Sequence, residues 1–359
     1  MNNKKVIVAM SGGVDSSVTA AILVEKGFEV IGITMRLGSQ DSYDQDSTRP
    51  ACCSIESVED ARRVASQLNI PFYAVNYEAI FREEVVDYFC EEYSSGRTPN
   101  PCIICNQKLK FGKLLQLAFE LGAEYVATGH YVRISQDTST GRHILRKGID
   151  SRKDQSYALF SLTQEQLKHA LFPLGEYTKT QVREMARQRL LKVAERPESQ
   201  ELCFIFDDNY NRFLHDKMSE RLKPGQILDT SGKIVGQHKG IQFYTVGQRK
   251  GLGGNLGKAM YVVKIDPSTN TIVIGSKDDL MVNKLTASGA NFISIPKLTE
   301  PIKVKAKIRY ADSGTEGIAY PLDGDRFEVI FDRPCMAVTP GQAVVLYNGD
   351  LVIGGGWIE

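Results

Sequence analysis

An open α/β sheet of parallel strands, followed by a small central domain and a C-terminal all-β barrel, is the fold class this sequence predicts. Two textures carry that expectation. Strand-like and helix-like periods alternate through the first half of the chain, and after residue 260 only short alternating runs remain. The length of 359 residues also exceeds what one ordinary hydrophobic core organises.

In chain order, KVIVAM (5–10) is an apolar run, and DSSVTAAILVEKG (15–27) has helical spacing closed by Gly27. FEVIGITMRL (28–37) returns to a strand pattern, while residues 38–54 are polar and aperiodic and read as a mobile loop. SVEDARRVASQLN (57–69) is amphipathic, IPFYAVNY (70–77) is strand-like, and AEYVATGHYV (123–132) repeats the theme after another helix. Further on, NYNRFLHDKMSERL is helical, PGQILDTSGKIVGQHKG is rich in turns, and AMYVVKIDPSTNTIVIGS reads as a hairpin. The expected domains are 1–205, 206–280 and 281–359.

A net charge of +1 does not announce a nucleic-acid binder, so any such contact needs local evidence. The first apolar run reaches polar SGG too soon for a signal peptide, and no apolar stretch approaches the roughly 18 residues of a membrane span. The expected location is cytoplasmic. Seven cysteines, an odd number, speak against a disulfide framework and for buried thiols, metal ligands or redox-active groups.

Ser11-Gly12-Gly13-Val14-Asp15-Ser16-Ser17 joins the first strand to the first helix. Two glycines let backbone N–H groups approach a phosphate, the helix N-terminus adds partial positive charge, and the three serines offer hydroxyl donors. Asp15 offers a ligand for Mg2+. A plain helix cap is the bland alternative, but the full strand–loop–helix context favours phosphate binding. The loop resembles the PP-loop of ATP pyrophosphatases, the adenine nucleotide α-hydrolase-like group. That resemblance implies ATP cleaved between the α and β phosphates, an adenylated acceptor, and an ATP site at Ala9, Met10, Ser11, Gly12, Gly13, Val14, Asp15, Ser16, Met35 and Gly129.

Arg97-Thr98-Pro99-Asn100-Pro101-Cys102-Ile103-Ile104-Cys105-Asn106 has two prolines that make a stiff extended lead-in to a helical pattern. Cys105 near a helix N-terminus, with Lys108 and Lys110 close in sequence, suits a thiolate. Cys203 lies just past the polar segment 196–200, where a flexible carrier would need to be. The C-x-x-C at 102–105 supports persulfide or disulfide chemistry. With Cys203 it also supports an iron–sulfur cluster with one open iron. Cys90 and Cys335 read as small core residues, and Cys52 and Cys53 as incidental thiols or relay stations.

Together AMSGGVDSS, GRTPNPCIICNQKLKFG, ATGHYVR, DSRKDQSYALFSL, LCFI, YTVGQRKGLG, KIRY and AVTPGQAVVLY resemble the tRNA-specific 2-thiouridylase family in order and over almost the whole chain. The resemblance implies a Cys203 persulfide supplied by a cysteine desulfurase or a sulfur-relay protein, with Cys105 as nucleophile and a transient Cys105–Cys203 disulfide. It implies a target-base pocket at Asn100, Pro101 and Cys102, where many relatives carry Asp in place of Cys102. It implies tRNA contacts at His130, Lys153, Asp154, Gln155, Arg309, Tyr310 and Gln342, and tRNAs reading Lys, Glu and Gln codons. From the residues themselves, Lys303, Lys305, Lys307 and Arg309 alternate with apolar residues and make a cationic row on one strand face. Gln237-His238-Lys239 and Gln248-Arg249-Lys250 make a second basic cluster. A PP-loop synthetase acting on a small acid, or a metal-binding RNA adaptor, would explain fewer of these residues.

Overall fold

The computed structural model describes residues 4–38, 55–197, 202–205, 209–252 and 259–359. Cys52 and Cys53, with the loop expected around them, lie outside the described residues, as do residues 198–200 before Cys203. The chain divides into two compact units. One comprises Met1–Val85, Cys102–Asp208 and Asp350–Val352, the other Val86–Pro101, Asn209–Gly349 and Ile353–Glu359.

The first unit opens with β1 (Lys5–Ala9), α1 (Val14–Glu25), β2 (Glu29–Arg36), α2 (Ile55–Gln67) and β3 (Phe72–Asn76). A helical run follows: α3 (Glu78–Phe81), a wide-turned stretch Arg82–Asp87, and α4 (Tyr88–Ser94), the last belonging to the second unit. A second run passes from α5 (Pro101–Ile104) through Cys105–Lys113 into α6 (Leu114–Glu120). Then come β4 (Tyr125–Ala127), the hairpin β5 (Val132–Gln136) and β6 (His143–Lys147), α7 (Gln164–Lys168), β7 (Ala170–Leu171) and α8 (Lys179–Gln188).

The sheet order is β3-β2-β1-β4-β7, all parallel. From β1 the chain winds outward to β2 and β3 on one side and to β4 and β7 on the other. The carboxyl ends of β1 and β4 therefore bound the switch point, where open α/β sheets take their ligands. Val6, Ile7 and Val8 are fully buried, as a central parallel strand covered on both faces must be. Val6 and Val8 share a core with Val18 and Ile22 of α1 and Ala61, Val64 and Ala65 of α2.

Three local expectations shift. The strand at 70–77 is an edge strand with one neighbour, and Tyr73 is exposed on it. The run 123–132 is broken after Ala127, so β4 is short and residues 128–131 form a loop. The helix carrying the C-x-x-C begins at Pro101, where a missing N–H costs nothing, so Cys102 and not Cys105 occupies its first turn. Its Cys105–Lys113 stretch has wide, π-type turns. Gln166 Nε2 donates there to the carbonyls of Gln107 (2.9 Å) and Phe111 (3.0 Å), a side chain inserted into the helical ladder.

In the second unit α9 (Tyr210–Met218) packs on α4 through Phe213 on Phe89 and Tyr210 stacked on Tyr93. The central sheet contains β8 (Gly225–Asp229), β9 (Ile234–His238), β10 (Tyr261–Asp266) and β11 (Thr271–Gly275) in the order β10-β11-β8-β9. The expected hairpin is β10–β11, antiparallel, and β11 pairs β8 in parallel. The last strands are β12 (Met281–Phe292), β13 (Ile302–Lys307), β14 (Thr315–Pro321), β15 (Phe327–Met336), β16 (Ala343–Asn348) and β17 (Leu351–Ile358). They run β12-β15-β14-β13-β16-β17, and β12 pairs with β17 at Ala287↔Ile358 to close a barrel around Ala306, Phe327, Val344 and Leu346. No described helix is long and apolar enough to cross a membrane.

Candidate active site

The phosphate loop hangs between β1 and α1. Met10 is fixed by its N–H to the Ile33 carbonyl (2.8 Å) and by Thr34 Oγ1 donating to its own carbonyl (2.7 Å). Gly12 has φ +72°, and a Cβ there would lie 2.2 Å from the Ser57 carbonyl oxygen, so only glycine fits. No side chain caps α1, which leaves first-turn N–H groups to an incoming anion. Ser16 Oγ accepts from Ser11 N (3.2 Å), and the Ser16 and Ser17 hydroxyls donate to the Gly13 carbonyl (3.2 and 2.8 Å). The serines thus shape the cradle before any ligand arrives. From β4, Gly129 meets the same turn: a Cβ there would stand 2.8 Å from Asp15 Cβ and 3.0 Å from Ser16 N. Met35 is buried at the end of β2.

Asp15 is not an open carboxylate. Lys179 Nζ lies 2.8 Å from both of its oxygens, and Tyr131 donates its hydroxyl to Oδ1 at 2.7 Å. The carboxylate expected to offer a ligand to Mg2+ is thus paired here with an ammonium. Lys179 sits in the first turn of α8, behind a Thr178–Gln181 capping box, and its N–H donates to Asp150 Oδ2 (3.0 Å). A lysine at a helix N-terminus works against the macrodipole. That local oddity is the sequence signal that could have singled it out.

Arg196 is a second residue that pattern reading did not reach. Its guanidinium donates to the Gly12 carbonyl (3.0 Å), to Ser57 Oγ (2.8 Å) and to Asp60. One side chain thereby ties the phosphate loop to the start of α2.

Cys102 is exposed and Cys105 buried on the helical run described above. Asn106 is buried beside Cys105, donating to the Ala158 carbonyl (3.0 Å) and accepting from Lys110 Nζ (2.9 Å). Lys110 is therefore committed to Asn106, and Lys108 is exposed. Cys203 is half-buried in the turn Leu202–Ile205. Phe204 lays its ring edge-on to Phe81 of α3 (5.8 Å between centroids), and α3 packs on the Cys105–Lys113 segment. Among the described residues no three His, Cys, Asp or Glu side chains gather to hold a metal ion. Cys102, Cys105 and Cys203 thus do not form a ready iron–sulfur ligand set.

His130 is buried, bonded to Thr128 Oγ1 through Nδ1 (2.6 Å) and flanked by Phe111 and Phe172. Burial, with the Lys110 charge nearby, holds its pKa well below the ordinary imidazole value, so it is neutral. In Lys153-Asp154-Gln155 two side chains are occupied by the loop itself. Asp154 accepts from Gly148 N, Ser156 N and Ser156 Oγ, and Gln155 Oε1 accepts from Tyr131 N.

In the second unit Val304 and Ala306 are buried while Lys303, Lys305 and Lys307 face outward, with Arg309 and Tyr310 exposed just beyond. The cationic row is present, with Glu316 opposite Lys305. The basic cluster at 237–239 is weaker than its sequence. His238 is buried and its pKa lowered by that burial, so it adds no charge to the surface. Gln342 donates to the Thr98 (2.9 Å) and Pro99 (3.2 Å) carbonyls.

A parallel sheet with a glycine cradle at its switch point, followed by two β domains, defines a HUP-domain protein with C-terminal barrels. Residues 4–207 match a family profile described as tRNA methyl transferase HUP domain, 211–276 its PRC-barrel domain, and 282–358 an aminomethyltransferase beta-barrel domain. The chain is 51% identical to the tRNA-specific 2-thiouridylase MnmA of Acetivibrio thermocellus over the full length of both. It is 52% identical to MnmA 1 of Caldanaerobacter subterraneus subsp. tengcongensis and 49% to MnmA of Clostridioides difficile, each over 99% of this chain and 98% of the relative. The chain belongs to the tRNA-specific 2-thiouridylase family.

Proposed function

We propose that the protein uses ATP to replace the C2 oxygen of the tRNA wobble uridine with sulfur. The observation that carries this reading is the presence, in one compact unit, of an anion cradle and two thiol-bearing segments joined through Phe81 and Phe204. A small-acid synthetase would need the cradle but neither thiol.

The cradle amides and Lys179 bind the phosphates, and the uridine O2 attacks the α-phosphorus, releasing pyrophosphate and leaving AMP on oxygen. The terminal sulfur of a Cys203 persulfide attacks C2, and AMP leaves with the oxygen. Cys105 thiolate then attacks Cys203 Sγ. The S–S bond to the uridine sulfur breaks, the thiouridine is freed, and a Cys105–Cys203 disulfide forms for reduction by a thiol. The uridine is unstacked into the pocket at Asn100, Pro101 and Cys102. Arg309, Tyr310 and the lysine row take the tRNA backbone. The persulfide sulfur comes from a cysteine desulfurase or relay protein, and the substrates are tRNAs reading Lys, Glu and Gln codons in the cytoplasm.

The test is nucleotide product analysis with transcript tRNA on protein purified anaerobically and assayed for iron and sulfide. Iron-free protein that releases AMP and pyrophosphate only with tRNA supports the reading. Release of ADP and phosphate overturns it.

A further inference from the structure

We infer that Gln166 is a positioning residue for the proposed nucleophile: its amide, wedged into the stretch Cys105–Lys113, holds the wide winding that turns Cys105 inward. The inference rests on the reading of Cys105 as the thiol that frees the sulfur. Every residue it uses lies in the first unit.

The burial of this helix does not fit ordinary winding. Phe111, Leu114, Leu115 and Ala118 define its buried face toward the C-terminal end. At ~100° per residue, Cys105 and Asn106 would each lie about 130° around the axis from the centre of that face, and Gln107 would fall on it. The structure has the reverse. Cys105 and Asn106 are buried (8% and 2% exposed), Gln107 is half-buried and Lys108 is exposed. The wide turns account for the difference. Leu114 N donates five residues back, to the Leu109 carbonyl, so each residue advances less around the axis than in an α-helix. Over the nine residues of the stretch, that lag carries Cys105 and Asn106 round toward the face of Leu114.

Winding of this kind is rare, so something outside the helix backbone must hold it. Gln166 Nε2 donates to the Gln107 carbonyl (2.9 Å) and the Phe111 carbonyl (3.0 Å), which uses both of its protons. Gln107 O is the group that Phe111 N would take in an α-helix. The wedge is itself fixed by the capping box of α7. Gln166 Oε1 accepts from Thr163 N (3.0 Å), and Thr163 Oγ1 accepts from Gln166 N (3.2 Å).

The helix answers with two amides of its own. Asn106 Nδ2 donates to the Ala158 carbonyl (3.0 Å) and Gln107 Nε2 to the Ser161 carbonyl (3.1 Å). Residues 158–166 thus form a splint along the thiol-bearing stretch, with Gln166 at its far end. Rotating the nucleophile by part of a turn would spoil its approach to a disulfide-type bond, and small misplacements are costly to such a step.

The test uses full-length Gln166→Glu, Gln166→Ala and Thr163→Ala. Glutamate still accepts from Thr163 N and keeps the cap on α7, but it offers the helix no donor. It also serves where the alanine variant fails to fold. Thr163→Ala weakens the cap and leaves the wedge. In tRNA-free protein, iodoacetamide labelling of Cys105 is followed by peptide mass spectrometry, alongside thiolation kcat and the KM for tRNA. Tighter winding turns the thiol toward the exposed side that carries Lys113 and Gln116. The expected Cys105 labelling rate is therefore about threefold or more higher in both Gln166 variants, and within about twofold of the parent in Thr163→Ala. Thiolation kcat should fall roughly tenfold or more in Gln166→Glu, with the KM for tRNA within about twofold. Labelling that is unchanged or slower in Gln166→Glu, or raised as much by Thr163→Ala, overturns the inference and leaves Gln166 a helix cap. Raised labelling with an unchanged kcat overturns the positioning role. Labelling needs no tRNA, ATP or sulfur donor, so it decides the winding independently of the thiolation reading.

Discussion

Lys179 holds its ammonium 2.8 Å from each carboxylate oxygen of Asp15, the second residue of the helix that follows the phosphate loop. The lysine side chain is 10% exposed and the aspartate 31%. The pair is therefore partly desolvated, and its positive member lies beside the loop proposed to take the phosphates of ATP. Lys179→Met should leave Asp15 uncompensated. The stability cost is about 2 kcal/mol, below that of a fully buried pair because Asp15 still meets water. Asp15→Asn combined with Lys179→Met should recover most of that stability and none of the ATP affinity. Thermal melts and calorimetric ATP titration separate the two effects.

Arg196 makes a different prediction because it touches the loop from behind. Arg196→Ala removes charge-assisted bonds to the Gly12 carbonyl and to the start of α2, worth about 1.5–3 kcal/mol in holding the loop. The KM for ATP should rise by roughly tenfold with a smaller fall in kcat. Arg196→Lys should restore part of it, since one ammonium can serve Asp60 but not all three partners. A fall in kcat at unchanged KM would show that the loop does not depend on this clamp.

Gly129→Ala tests the second wall of the cradle. Its Cβ would press on Asp15 Cβ at 2.8 Å and on the Asp15 carbonyl carbon at 2.9 Å, atoms that cannot yield without moving the first turn of α1. ATP affinity should drop about tenfold or more while the melting temperature moves by only a few degrees. Full retention of ATP affinity would place the nucleotide elsewhere.

The pH dependence of stability follows from His130. Its folded pKa is depressed by burial, so between that value and the unfolded value near 6.5 the unfolded chain binds the extra proton. Stability is therefore full above about pH 6.5 and is lost as pH falls below it, by at most about 1.4 kcal/mol per pH unit for this one group. His143 and His238 are shifted in the same direction. His130→Gln should remove about one proton from the acid-side slope in urea titrations between pH 5 and 7. An unchanged slope would mean that His130 is protonated in the folded protein.

What the sequence made legible and what it hid divide along physical lines. β1, the glycine loop and α1 are adjacent in the chain, so their apolar run, turn chemistry and helical spacing could be read together. Lys179 and Arg196 reach the same loop from more than 160 residues away, and no local period marks them. The cationic strand was visible because alternation is itself the signal for one strand face. His238 belonged to a basic tripeptide by composition, yet the hydrogen bond from its ring to the Asn270 carbonyl (3.1 Å) and its burial beside Tyr244 take it out of the surface charge. The family pattern marks Gln342, Asp154 and Gln155 as important, but a motif match does not show whether a side chain faces RNA or its own backbone. Each of the three has a hydrogen bond to the protein's own backbone that the motif alone did not reveal.

The two thiols give the sharpest separation of steps. Adenylation needs neither sulfur, so Cys105→Ser and Cys203→Ser should both keep tRNA-dependent AMP and pyrophosphate formation in the first turnover while losing thiouridine by about a hundredfold or more. They should differ in what they trap. Without Cys203 no persulfide can form there, and alkylation after loading with a desulfurase should show no added sulfur on the peptide holding residue 203. Without Cys105 the terminal sulfur still reaches C2, but the S–S bond back to Cys203 has no internal thiol to break it. Cys105→Ser should then accumulate a covalent protein–tRNA adduct that dithiothreitol releases as thiolated tRNA. The adduct is read on a denaturing gel with and without reductant. Full thiolation by Cys203→Ser, or an adduct that survives reductant, would show that sulfur travels by another route.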